Sequence, residues 1–160
     1  MTATKASWAG ALLSGAAAGA AGTTALNAVT YVDMALRGRP ASSTPEDTVE
    51  RLAGSAGVAV PGEGQTRDNR LSGLGALTGI ATGVAVGALA GLAVRGRDPS
   101  LPALSLLVGG AAMAGSNVPM TALRVTDPRS WSAADWVSDL VPHLAYGLVT
   151  AALARRLVSR

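Results

Sequence analysis

Apolar and polar positions follow one another along this chain in long blocks. An uncharged run from Ala6 to Val32 gives way to a polar stretch from Arg37 to Arg70, and a second uncharged run covers Leu71 to Val94. A short link from Arg95 to Ser100 leads to a third run, Leu101 to Val118. The last, Leu140 to Ala154, is too short to cross a bilayer alone and must take in the acidic turns before it. A helix needs about 20 predominantly apolar residues to cross the hydrocarbon core. The pattern therefore predicts four spans, near residues 7–32, 71–94, 101–118 and 134–154, in one polytopic domain over residues 1–160. The fold class is an all-α membrane protein, a four-transmembrane-helix bundle with a short amphipathic helix in the polar loop 37–70.

Small residues inside the runs predict how the spans meet. Gly75, Gly79, Gly83, Gly87 and Gly91 recur at a spacing of four. In a water-soluble helix each would cost about 1 kcal/mol relative to alanine. Between lipid-embedded helices the same spacing lets two backbones approach and associate. The first span carries its own stripe of Ala11, Gly15, Gly19, Thr23 and Asn27, a natural surface for the glycine helix. A step of four residues drifts by about 40° around the axis, so the end glycines lie roughly 160° apart and call for two neighbours. The simplest pair is the first span and either the third span or another subunit, which puts the glycine helix at the centre. The short link should pack the third span beside it and antiparallel, with Gly109, Gly110 and Gly115 as that span's small face.

Capping chemistry and aromatic residues mark the boundaries. Thr44 is placed to cap a helix that starts at Pro45, carries Glu46 and Asp47 in its first turn and stops at Gly54. Its thin apolar edge, Val49, Leu52 and Ala53, suits the membrane surface or the mouth of the bundle, or a docking partner. Ser132 and Asp135 have capping-box spacing at the start of the last helix, and Pro142 should kink that helix or loosen one of its backbone hydrogen bonds. Trp8, Tyr31, Trp131 and Trp136 fall where interfacial anchors belong. Lys5 before an apolar stretch also fits a cleavable signal, but the run continues past any cleavage point. The likeness of VDMALRGRP from Val32 to VPMTALRVTDP from Val118 suggests two hairpins of common origin.

Composition agrees with membrane residence. Hydrophobic residues make up 49% of the chain, mean hydropathy is +0.34, and phenylalanine is absent, so a soluble core would lack much of its usual material. The absence of cysteine removes disulfides and thiolate chemistry. A pI near 10.2 comes with a net charge of only +3, and the arginines flank apolar runs, which argues against nucleic acid as a partner. The expected partners are the lipid bilayer and either a second copy or another membrane protein. Even spans place both termini on one face. The density of positive charge there, from Lys5, Arg95, Arg97, Arg155, Arg156 and Arg160, favours cytoplasmic termini in a multi-pass protein of the plasma (bacterial inner) membrane.

Candidate chemistry concentrates on the last helix. Asp135, Asp139 and His143 lie four apart and share a face, which Tyr146, Gly147 and Thr150 extend. Ionisable groups at membrane depth mark pathways, proton relays or interhelical pairs. The acidic residues also suit a helix N-terminus, and His143 suits a hydrogen bond to Asn27, Asn117 or a carbonyl as well as a proton path or a metal. Asp33 emerges on the same face, so a cluster of Asp33, Asp139 and His143 is one expectation. No glycine stretch ends in the GK-Ser/Thr of a phosphate loop, and no serine sits in a GxSxG elbow. Ser138 cannot join Asp139 and His143 as a triad, because adjacent positions face different ways. No catalytic residue, cofactor or metal is expected, and the chain reads as a non-enzyme. The first functional expectation is a structural or interaction module built on glycine-mediated helix packing; the second is a small transporter or proton-conducting module at Asp139 and His143.

The alanine- and glycine-rich first span, the glycine-striped second and the HLAYG segment from His143 to Gly147 resemble the YagU-like group of small bacterial inner-membrane proteins. His143, Tyr146 and Gly147 carry that resemblance. It implies membrane location and a helical fold, and since the group has no settled activity it supplies no catalytic residue.

Overall fold

A bilayer offers the backbone no hydrogen-bond partners, so each apolar run must satisfy its own amides as a helix. The computed structural model describes residues 6–158, in which the runs form α1 (Trp8–Arg37), α3 (Gly64–Val94), α4 (Leu101–Ala122) and α5 (Ala133–Val158). All four are long and apolar enough to cross a membrane. The polar loop carries α2 (Thr44–Ser55), a single 3-10 turn spans Pro128–Ser130, and no strand occurs among the described residues. Lys5 and Arg160, counted above among the flanking charges, lie outside them.

Local chemistry sets the ends. Ser7 accepts a 2.9 Å bond from the Gly10 amide at the start of α1, and Gly38, at φ 63°, takes the left-handed conformation that ends it. Ser132 and Asp135 close a reciprocal box at the start of α5: the Ser132 amide donates at 2.9 Å to the Asp135 carboxylate, and the Asp135 amide donates at 3.2 Å to the Ser132 hydroxyl. The loop helix departs from expectation at both ends: Ser43 precedes it, Thr44 is already helical, and it runs to Ser55. The loop itself is shorter than the polar sequence implies, because α3 begins at Gly64. Its polar first turns are held by Gln65 to Asn69 at 3.0 Å, Arg67 to Glu50 at 2.6 Å and Arg70 to the Pro61 carbonyl at 2.7 Å.

Packing places α1 and α5 at the centre. Helix α1 packs extensively against α3 on one side and α5 on the other, α4 packs mainly against α5, and α3 touches α4 and α5 only lightly. Gly15 meets Gly87 and Gly91, while Gly19 meets Gly83 and Gly87, so α1 and α3 run antiparallel. A methyl added to Gly87 would lie 2.6 Å from both the Gly19 amide nitrogen and the Gly15 carbonyl oxygen, so only glycine permits this approach. The α3 stripe divides among three surroundings. Gly83, Gly87 and Gly91 face α1, Gly75 faces Pro45 and Glu46 of α2, and nothing lies within 4 Å of a methyl at Gly79.

The glycine helix thus packs mainly on α1, with the loop helix taking the next share, while the third span, expected as its second neighbour, touches it only lightly. The reason is that α2 folds back over the start of the apolar run and covers Gly75. In turn α4 finds its close partner on α5, where a methyl on Gly147 would lie 2.8 Å from the Gly109 amide nitrogen. The two consecutive hairpins, α1 with α3 and α4 with α5, are each packed through glycines, although α3 and α4 meet far more lightly than α1 and α5.

Contacts at both ends fasten the helices. On the terminal side Arg95 lies 4.1 Å over the Trp8 ring and donates at 2.8 Å to the Ala6 carbonyl, and Arg155 bonds Asp98 at 2.7 Å. On the opposite side Trp131 and Trp136 meet edge to face at 5.0 Å, and the Trp131 indole donates to Thr126 at 2.8 Å.

Candidate functional site

Asp139 and His143 are one turn apart on α5, and α4 brings Asn117 against them. The Asn117 amide donates at 2.7 Å to one oxygen of Asp139. His143 Nδ1 lies 2.7 Å from the Asp139 carbonyl and 3.3 Å from the other carboxylate oxygen. A carbonyl only accepts, so Nδ1 is the protonated nitrogen. The approach of the two helices depends on small residues deeper in the seam, where a methyl on Gly109, two turns from Asn117, would lie 2.7 Å from the His143 carbonyl. Asn117, Asp139 and His143 therefore form a chain of hydrogen bonds across the α4–α5 seam, with the Asp139 side chain still 22% exposed. Two metal-type ligands meet there, and no third joins them among the described residues.

The remaining acidic candidates go elsewhere. Asp135 is turned back to cap α5 through Ser132. Asp33 does not join Asp139 and His143: its oxygens bind Arg39 at 2.6 Å and Arg37 at 3.4 Å. The left-handed turn at Gly38 folds Arg39 back onto the end of α1, and its guanidinium, always charged, pairs with the carboxylate there. Arg37 also donates at 2.6 Å to Ser138 of α5. A 90 Å³ crevice between these helices is lined by Val29, Asp33, Val137, Ser138, Val141 and Pro142, and neither Asp139 nor His143 reaches its wall. Asn27 is half-buried on α1 and bonds to none of these groups.

Deeper in the bundle the polar face of α5 ends on backbone carbonyls. Tyr146 is buried, and its hydroxyl donates at 2.6 Å to the Gly83 carbonyl of α3. Thr150 donates at 3.5 Å to the Ala18 carbonyl of α1. Gly22 makes room for both, since a methyl there would overlap the Thr150 hydroxyl and lie 2.9 Å from the Tyr146 ring. Sequence reasoning missed Gly22, although a signal existed. Ser14, Ala18 and Gly22 form a second every-four row on α1, beside Ala11, Gly15, Gly19 and Thr23. One row faces α3 and the other faces α5.

Outside the spans, Asp127 and Arg129 bind each other at 2.9 Å in the turn before α5. Hydrogen bonds from the Arg129 side chain and amide hold the Asp127 carboxyl below its ordinary value, and the pairing raises Arg129.

With this geometry in view, no protein-family model, curated protein or solved structure matches the chain.

Proposed function

We propose that this chain is a small integral membrane protein of the bacterial inner membrane, acting as a structural or interaction module whose glycine-packed helices form a closed bundle. The observation that carries this reading is the termination of the polar line on α5. Asp139 is held by Asn117, His143 by Asp139, Tyr146 by Gly83 and Thr150 by Ala18. Each of these groups makes a hydrogen bond within the bundle. This favours interhelical fastening over a pathway, and a non-enzyme over a catalyst. The likeness to YagU-like proteins through His143, Tyr146 and Gly147 fits the same role, because two of those residues serve helix packing. Cytoplasmic termini place the Arg95, Arg97, Arg155 and Arg156 end inside.

A second reading, a proton-conducting module, draws on the partial exposure of Asp139 beside His143. Proteoliposomes loaded with a pH-sensitive dye separate the two. The structural reading predicts proton flux equal to that of empty vesicles under an imposed potential. Flux that is abolished by Asp139→Asn or His143→Ala would overturn it in favour of the second.

A further inference from the structure

The polar loop does more than connect α1 to α3: it builds a wall. Val49 and Ala53 of α2, the returning segment Val58 to Pro61, and Gly73, Leu74 and Leu77 of α3 enclose an open cleft of 520 Å³. Its volume falls within the roughly 300–1,000 Å³ of small-molecule sites. Arg70 is its sole charged lining residue. Arg70 donates from one nitrogen to the Pro61 carbonyl and forms no ion pair among the described residues, whereas Arg67 beside it is paired with Glu50. The walls are almost wholly apolar: Arg70 contributes its aliphatic stem, and its guanidinium, held at the Pro61 carbonyl, stands at the margin of the cleft with no ion pair among the described residues. From Arg70 to Leu77 the cleft runs about 10 Å along α3, in the direction of the apolar run and from the polar boundary toward the hydrocarbon.

This polarity selects the ligand chemistry. An inserted peptide would bring backbone amides and carbonyls that these walls cannot satisfy. An acyl chain has none, and a phosphate matches the fork of a guanidinium. We infer that the cleft between α2 and α3 holds one anionic glycerophospholipid, with its phosphate on Arg70 and an acyl chain along Leu74 and Leu77. The lipid completes the seam that α2 leaves open, and the loop helix becomes a lipid clasp.

Native mass spectrometry of the full chain released from detergent tests this, after incubation with phosphatidylglycerol or with diacylglycerol of the same chains. The expected result is a one-to-one phosphatidylglycerol adduct and no comparable diacylglycerol adduct. Arg70→Gln should lower adduct occupancy about tenfold, Arg70→Lys should retain most of it, and Ala53→Trp, which fills the cleft, should abolish it. Circular dichroism and melting in detergent confirm that each variant is folded. Equal adducts in wild type, Arg70→Gln and Ala53→Trp would overturn the inference, and so would equal binding of diacylglycerol or the absence of any adduct.

Discussion

The Tyr146 hydroxyl reaches past α1 to the Gly83 carbonyl, a 2.6 Å bond that ties α5 to α3 although those helices otherwise touch only lightly. It forms because Gly83 and Gly22 carry no side chains that would fill the space around the ring. Tyr146→Phe keeps the ring and removes the bond, so it should destabilise the bundle by about 0.5–1.5 kcal/mol, in keeping with interhelical hydrogen bonds in membranes. Equilibrium unfolding in mixed micelles checks this, and an unchanged stability would show the bond to be incidental.

The Asn117–Asp139 bond should be energetically coupled. Asn117→Ala leaves one oxygen of Asp139 without its donor and is expected to cost about 1–3 kcal/mol. The double variant Asn117→Ala, Asp139→Ala should cost less than the sum of the single variants, because the second change removes the group that the first left unsatisfied. Strict additivity in the same unfolding assay would mean that the two side chains do not interact.

The Asp127–Arg129 pair gives the pH dependence. Its folded carboxyl titrates below the ordinary value, so the pair is intact above the unfolded pKa and is lost as pH falls through the folded one. The Asp127 side-chain carbon signal in an NMR titration should therefore show a midpoint lower than that in Arg129→Gln. Equal midpoints would contradict the assignment of the shift to Arg129.

Membrane-spanning helices were legible because uncharged runs of this length have few alternatives. The capping chemistry of Ser132 and Asp135 was legible for the same kind of reason, since it is local. What the sequence concealed was non-local. The spacing of Gly75 to Gly91 announces close packing but does not say that α2 takes Gly75, that Gly79 faces no neighbour, or that α1 and α5 hold the centre. The polar first turns of α3 escaped notice because their support comes from Glu50 and Pro61, distant in sequence. Face sharing put Asp139 and His143 together, but Asp33 was drawn away by Arg39, which a single left-handed residue at Gly38 turns toward it.

The most direct test of the central claim, a bundle closed by glycine contacts on α1, compares Gly87→Leu with Gly79→Leu in the same detergent. Gly87 is pressed against Gly15 and Gly19, whereas Gly79 faces open space. The account predicts that Gly87→Leu loses more than about 3 kcal/mol or fails to assemble. It predicts that Gly79→Leu stays within about 0.5 kcal/mol of wild type. Equal stability of the two variants would contradict it.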